Sequence, residues 1–483
     1  MKRMTVDLVP SHPNPTPDYY CTWQTQLYAT SDGKPEGQRA VIGEKALFDE
    51  NKPFGWAYFY EKVRNDLILV MDDSWDIPLH PQKSDFGALI LNREKFPAAT
   101  KGAKNNAEAL KRLTETVKSL GWKGLGGWVC AQESTNFTDS PEDYWKQRLQ
   151  EANEARFSYW KVDWGRKGKD LDFRRMLSDM GKKYAPDLTI EHAMIPEMIP
   201  YAAVFRTYDV PALMSIPMTM EKLGALSGFD GGIINCEDEA YIAAAGGFSM
   251  GIMRHPYRGN FPNGKADMSF PAVHRDLKTK IYEIIRAARF HRIAPAFPGK
   301  FSVSEACLYD TWRFIRPQEE IEAWWLENPL LKEDIKDGVL RKSAPRGISR
   351  NCTFPTVLPD ENGEIPYTVS ARNHNGVYSI ATLGRTKERT YLIPRCEVTF
   401  DVGNADTVGI FGAYKTLTLK TNRTEIHSVW MQDLADTVAF DITDDVSFSG
   451  GCLRIPGEWI EKIGTSAQPL DDTSEAGVLL KMI

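Results

Sequence analysis

The sequence predicts an α/β fold in which an N-terminal (β/α)8 TIM barrel is followed by a C-terminal antiparallel β-sandwich domain. Three observations predict it. From Tyr20 to Lys300, short apolar or β-branched runs alternate with helix-periodic stretches, giving eight strand-then-helix units in one direction. Several of these runs end in charged or aromatic residues, as barrel strands do where their C-terminal edge meets solvent. After Asn351 the texture changes to short alternating runs separated by Gly, Asn and Asp, the pattern of a sandwich.

The elements follow in order. Tyr20 to Tyr28 reads as the first strand, with a helical stretch from Glu44 to Val63 after it. Asp66 to Met71 is an apolar run stopped by Asp72-Asp73-Ser74-Trp75. Ala109, Leu110, Leu113, Val117 and Leu120 lie at helical spacing within Asn105 to Leu120, and Gly121 stops that helix. Trp122 to Cys130 is the third strand; Ser140-Pro141-Glu142-Asp143 starts the next helix with Pro in its first turn. The fourth strand, Phe157 to Asp163, carries Lys161 and Asp163 on one side, and Gly165 closes it. A helix from Leu171 to Tyr184 leads to the strand Leu188 to His192. Ala203 to Asp209, Gly232 to Cys236 and Phe248 to Met253 complete the eight, and a last helix runs from Leu277 to Phe290. An open doubly wound sheet is the competing arrangement, but no glycine-rich phosphate turn follows the first strand.

Residues 1–300 are therefore expected to form the barrel. Residues 301–350, with helical pieces at Pro317 to Trp325 and Leu331 to Leu340, are expected to be a helical connector packed on it. Residues 351–483 form the sandwich, with strands at Val377 to Thr382, Thr390 to Ile393 and Thr407 to Phe411.

At 483 residues, 42% apolar and 26% charged, the chain has the balance of a globular protein of more than one domain. A formal net charge of -6 without a basic block argues against nucleic acid as a partner. No run approaches the ~20 apolar residues that cross a bilayer, so no membrane partner is expected. The seven cysteines show no CxxC spacing, which points to neither a disulfide framework nor a zinc site. Met1 to Tyr20 has no apolar run but carries Pro13, Pro15 and Pro17. The expected location is the cytoplasm, or the periplasm or exterior if a leader has been removed.

If the barrel forms, the strand ends converge on one bowl: Trp23, Asp72, Asp73, Trp128, Cys130, Lys161, Asp163, Glu191, His192, Arg206, Asp209, Arg254 and His255. Carboxylates dominate this set and histidines are few. Glycoside hydrolysis needs that inventory, one carboxylate to attack the anomeric carbon and one carboxylic acid to protonate the departing oxygen. Asp163 is the first candidate for chemistry; an ion pair with Lys161 that merely closes the strand is the plainer reading of the same residues. His192 and His255 read as lone histidines satisfied by hydrogen bonds, and Cys130 as a buried apolar residue.

Tyr159-Trp160-Lys161-Val162-Asp163 resembles the Tyr-x-Lys-x-Asp nucleophile strand of glycoside hydrolase clan D, most closely the family 27 α-galactosidases and α-N-acetylgalactosaminidases. In family order around it stand Met71-Asp72-Asp73-Ser74-Trp75, Phe96-Pro97, Gly121-Trp122-Lys123-Gly124-Leu125 and Phe205-Arg206-Thr207-Tyr208-Asp209. The resemblance implies a retaining exo-acting α-galactosidase-like enzyme with no cofactor and no metal. It makes Asp163 the nucleophile and Asp209 the acid, then base. Asp72, Asp73, Lys161, Arg206 and Trp23 become substrate ligands. Apart from the resemblance, Trp128, Cys130, Trp164 and Glu191 are further binding candidates, and a helix cap after the sixth strand is the plainer reading of Asp209, which would leave Glu191 or Asp238 as the acid. This sequence departs from the family in having Arg206 three rather than four residues before Asp209, and Trp164-Gly165 after the nucleophile. The expected partner is an oligosaccharide or glycoside, and self-association is left open. Two other functions compete: a metal-dependent barrel hydrolase or isomerase using Asp72, Asp73, Glu191, His192 and His255, and an inactive sugar-binding homologue that has lost its acid.

Overall fold

The computed structural model describes residues 2–4, 6–26, 35–51, 53–83, 85–134, 137–208, 214–256, 279–314 and 335–483. Eight parallel strands close into a barrel: β1 (Tyr19–Cys21), β2 (Ile68–Met71), β3 (Gly124–Val129), β4 (Tyr159–Val162), β5 (Thr189–His192), β6 (Val204–Arg206), β7 (Ile233–Glu237) and β8 (Ser249–Ile252). Pairing of Tyr19 with Gly251 closes the ring. The strands are buried almost throughout because the barrel interior and the helix layer cover both faces, which is why they read as apolar runs.

Glycines in β3 let neighbours approach. A Cβ on Gly126 would lie 2.6 Å from Tyr159 Cβ, and one on Gly127 2.9 Å from the Trp75 indole nitrogen. The helices between strands follow their capping signals. Asn105 caps Asn106–Ser119 by accepting from the Glu108 N–H, and Ser140 caps Pro141–Glu154 from the Asp143 N–H. Asp170 does the same for Leu171–Tyr184 from the Phe173 N–H, and the helix has the bounds expected from the sequence.

Elsewhere the structure departs from expectation. The stretch from Glu44 to Val63 is not one helix but Glu44–Phe48 followed by 3-10 turns at Trp56–Tyr58 and Glu61–Asp66. Pro53 and a left-handed Gly55 (φ 83°) interrupt it. The first strand is three residues long and turns into a short helix at Trp23–Thr25; residues 27 and 28 lie outside the described residues. Of the expected helical connector, Pro317 to Trp325 also lies outside them. The described remainder of 301–350 is β structure: Ser302–Val303, Cys307–Arg313, Ile335–Lys336, Val339–Pro345 and Gly347–Arg350. Asp337 (φ 55°) and Gly338 (φ 70°) form the left-handed pair of a tight hairpin, which replaces the predicted helix over 335–340.

The C-terminal part packs a nine-stranded sheet on a five-stranded one. Val398, Phe400, Leu417, Leu419, Leu453 and Ile455 from one sheet meet Ile380, Ile410, Val478 and Leu480 from the other in a single core. Most neighbours are antiparallel; three pairs run parallel, Gly347–Arg350 with Tyr367–Arg372, Tyr378–Leu383 with Thr407–Phe411, and Cys396–Gly403 with Tyr414–Thr421. The N-terminal Lys2–Met4 joins the edge of the larger sheet through Ala439–Asp441. No helix among the described residues is long and apolar enough to cross a membrane.

Candidate active site

Backbone strain marks one end of the barrel. Ser74 (φ 86°), Met194 (φ 73°), Tyr208 (φ 60°) and Asp238 (φ 55°) adopt left-handed conformations within three residues of the ends of β2, β5, β6 and β7. Such conformations cost about 1–3 kcal/mol each in a residue with a Cβ and gather where function over-determines the backbone. All four sit at the C-terminal edge, where the polar strand ends converge.

Asp163 follows β4 directly, and its backbone is fixed before its side chain is. Arg174, from the next helix, donates to the carbonyls of Asp163 (2.9 Å), Val162 (3.3 Å) and Gly168 (2.9 Å). Gly165 (φ 151°) passes so close to β3 that a Cβ would lie 2.7 Å from the Ala131 backbone. The carboxylate keeps 11% of its side-chain surface exposed. Oδ2 accepts from the Trp128 indole at 3.0 Å, and Oδ1 is buried 3.3 Å from an Arg206 guanidinium nitrogen with no aligned hydrogen bond. Burial pushes its pKa up, but Arg206, Lys161 and the Trp128 hydrogen bond outweigh that and hold it below the usual carboxylate range.

Beside it, Lys161 donates to Asp72 Oδ2 at 2.7 Å in a pair that is almost fully buried. Cys21 reaches the same oxygen at 2.8 Å, and Asp72 Oδ1 accepts from the Asp73 N–H at 2.8 Å. Asp73 is held by Ser74 Oγ (2.6 Å) and Arg39 Nε (3.2 Å); burial raises its pKa to about 6 despite Arg39. An aromatic wall joins the two carboxylates. The Arg39 guanidinium sits 5.0 Å over Phe86, Phe86 lies 5.2 Å from Trp164, and Trp164 lies 5.3 Å from Trp128. Cys130 is buried within that wall, and Trp164 is half-buried. Trp23, also half-buried, packs against the cluster of Tyr19, Cys21, Ile68, Val70, Tyr159 and Met253.

Arg206 gathers three carboxylates. Nη1 donates to Glu237 at 2.8 Å, while Nε stands 3.1 Å from Glu191 and Nη2 3.3 Å from Asp163. Burial raises the Glu237 pKa, but Arg206 and Lys161 pull it below its ordinary value. Glu191 has no exposed surface; burial pushes its pKa up to about 7 even though Arg206, Lys161 and the Tyr159 hydroxyl favour the charged form. His192 is wedged between Arg174 (3.2 Å) and Ser178 (2.9 Å), where burial lowers its pKa, and His255 and Arg254 are fully buried. Asp238 accepts from the Met253 and Arg254 N–H groups, so it secures the end of β8.

Thus Asp72, Asp73, Lys161, Asp163, Trp128 and Arg206 come together, with Trp23, Trp164 and Cys130 around them and Glu191 underneath. Asp209 lies outside the described residues. Sequence reasoning missed Glu237, Arg39, Phe86 and Arg174. Glu237 was within reach, since Ile233, Asn235 and Glu237 alternate toward one face of β7; Arg39 arrives on the short helix Pro35–Val41 and Phe86 on a turn, neither long enough to carry a periodic signal. Among the described residues no group of three or more His, Cys, Asp or Glu side chains is placed to hold a metal ion.

No protein-family model and no curated protein matches the sequence. Solved structures with a similar fold include an α-galactosidase from Saccharomyces cerevisiae with raffinose, at 10% identity and TM-score 0.41, covering 97% of this chain and 98% of that one. A GH27 β-L-arabinopyranosidase from Geobacillus stearothermophilus aligns at 10% identity and TM-score 0.36, over 68% of this chain and 93% of its own. An Anoxybacillus α-amylase aligns at 9% identity and TM-score 0.37, over 96% and 98%. Likeness of this order transfers no activity. Fold and site by themselves define a (β/α)8-barrel protein with a sandwich domain and a bowl of carboxylates interleaved with buried cations.

Proposed function

We propose that the protein is a retaining, exo-acting glycoside hydrolase that removes a terminal α-galactosyl or related sugar. The observation that carries the reading is the state of Asp163. It is a carboxylate at a barrel strand's C-terminal end, kept ionised by Arg206 and Lys161, aimed by Trp128 and still partly exposed. A nucleophile needs to be charged and fixed before substrate arrives.

In the first step Asp163 Oδ2 attacks the anomeric carbon, since Oδ1 is buried against Arg206. The bond to the leaving oxygen breaks as Asp209 protonates it, and a glycosyl ester of Asp163 forms. In the second step Asp209 takes a proton from water, the water oxygen attacks the anomeric carbon, and the ester opens to free Asp163. The strained backbone of Tyr208, next to Asp209, supports a functional turn after β6. Asp72 and Asp73 bind sugar hydroxyls, and the Trp164 face stacks on a sugar ring.

The test is hydrolysis of p-nitrophenyl α-galactoside, α-N-acetylgalactosaminide, β-L-arabinopyranoside and α-glucoside by wild type, Asp163→Ala and Asp209→Ala, with and without chelator. Turnover of one substrate that vanishes in Asp163→Ala, ignores chelator and first releases the retained anomer is expected. Sugar binding without turnover of any substrate would instead favour the inactive homologue.

A further inference from the structure

Glu191 is fully enclosed beneath the bowl. It cannot touch a ligand, because none of its surface is exposed. Its oxygens are committed below the site: Oε2 accepts from the Tyr159 hydroxyl at 2.8 Å, and Oε1 from the Tyr19 hydroxyl at 3.4 Å. The rings of Tyr19 and Tyr159 lie 5.0 Å apart, and the Tyr19 ring is fitted against Gly251. A Cβ on Gly126 would collide with Tyr159, and one on Gly251 would lie 2.6 Å from the Tyr19 hydroxyl and 2.8 Å from Asn235 Oδ1. Gly251 thus forgoes a side chain beside the Tyr19 phenol, and Gly126 forgoes one where the base of Tyr159 passes.

Above Glu191 stands the Arg206 guanidinium, its Nε 3.1 Å from the carboxyl in a buried ion-pair contact without an aligned hydrogen bond. A guanidinium is a rigid planar fork, so fixing the Nε edge fixes where both Nη groups point. Those edges face Asp163 and Glu237. We propose that Glu191 is a positioning residue acting through Arg206: from the barrel floor it orients the guanidinium toward Asp163 and so sets how readily that carboxylate ionises.

The significance for catalysis rests on Asp163 being the nucleophile; the geometric claim does not. Glu191 is faced by Tyr19 from β1, Tyr159 and Lys161 from β4, Arg206 from β6 and Glu237 from β7. Among these, Glu191 is the group whose carboxyl is pushed up to about 7, whereas Asp163 and Glu237 are held low. The guanidinium charge therefore goes mainly to the two carboxylates nearer the bowl, while Glu191 supplies the anchor.

The experiment reads Asp163 directly. In protein labelled with 15N-tryptophan, the indole signal of Trp128, assigned by its loss in Trp128→Phe, reports protonation of the carboxylate it donates to. Glu191→Ala is expected to move that inflection up by about one pH unit, a tenfold gain in proton affinity. Glu191→Gln, which keeps an acceptor for Arg206, is expected to restore it to wild type. On any glycoside that wild type hydrolyses, Glu191→Ala is expected to lower kcat more than it changes KM. If Glu191→Ala does not fold, Glu191→Asp, which withdraws the carboxyl by one methylene, is judged by the same criterion. A folded variant with an unmoved inflection overturns the proposal, as does a Glu191→Gln protein that behaves like the alanine variant. Should the inflection move while no glycoside is hydrolysed, the hydrolase reading fails and the positioning role stands.

Discussion

Trp128, on β3, and Asp163, directly after the neighbouring β4, are joined by an indole N–H donated across 3.0 Å to Oδ2. A hydrogen bond to a charged group contributes about 1.5–3 kcal/mol, and this one favours the carboxylate over the acid. Trp128→Phe keeps the ring and loses the donor. The acidic limb of kcat/KM against pH is expected to move up by about one pH unit or more. Because the folded pKa of Asp163 is depressed, its stabilisation is present above the unfolded pKa and disappears as pH falls through the folded one. Losing the donor should therefore start acid unfolding at a higher pH, seen by circular dichroism.

Lys161 and Asp72 form a pair with side-chain exposures of 2% and 3%. Removing one partner of such a pair strands the other charge and costs about 3–5 kcal/mol, whereas replacing both by apolar residues costs much less. Lys161→Met is expected to lower the urea-unfolding free energy by that amount, and Lys161→Met with Asp72→Leu to recover most of it. Both variants should lose activity, which separates the stability role from the site role.

Asp76 shows the opposite pH behaviour to Asp163. Burial raises its pKa to about 7, although Oδ2 accepts from the Leu89 N–H; Oδ1 is buried without a partner. The folded state then holds a proton that the unfolded state releases near its ordinary pKa. Between those values the folded protein binds more protons, so stability falls as pH rises toward 7. Glu191, also at about 7, and Asp73, at about 6, act in the same direction. Asp76→Asn is expected to flatten the loss of stability between about pH 4 and 7, by up to roughly 4 kcal/mol at the upper end. An unchanged slope in denaturation curves across that range would count against a buried neutral Asp76.

The barrel was legible because its strands are buried on both faces and end in polar residues, as Ile68–Met71 does at Asp72. Asp163 and Arg206 were legible for the same reason. What escaped has physical causes. Glu237 extends β7 by one residue beyond the apolar run, and its charge reads as loop until Arg206 is seen to neutralise it. The Asp337-Gly338 turn is a hairpin signal that helical spacing of the flanking apolar residues masked. Glu191 looked like a rim residue, since sequence gives the strand end but not how deep within the barrel a side chain finishes.

Arg286 and Asp433 tie the barrel's last helix, Ile281–Phe290, to the sandwich. Nε and Nη2 meet the two carboxylate oxygens at 2.8 and 3.0 Å, and neither side chain has exposed surface. The remaining valences are satisfied: Arg286 Nη1 donates to Gln468 and to the Glu475 carbonyl, and Asp433 accepts from the Ala435 and Ala467 N–H groups. Gly477 leaves the space, since its Cβ would lie 2.7 Å from Arg286 Cδ. Asp433→Asn is expected to cost about 3–5 kcal/mol and to split thermal unfolding into separate barrel and sandwich transitions in calorimetry. Arg395 and Glu461 provide the contrast, with contacts of 2.7 and 2.9 Å but side chains 53% and 52% exposed. Arg395→Ala should cost less than about 1 kcal/mol and leave a single transition, because solvent already screens that pair. Equal costs for the two variants would mean that burial is not what makes the Arg286 pair matter.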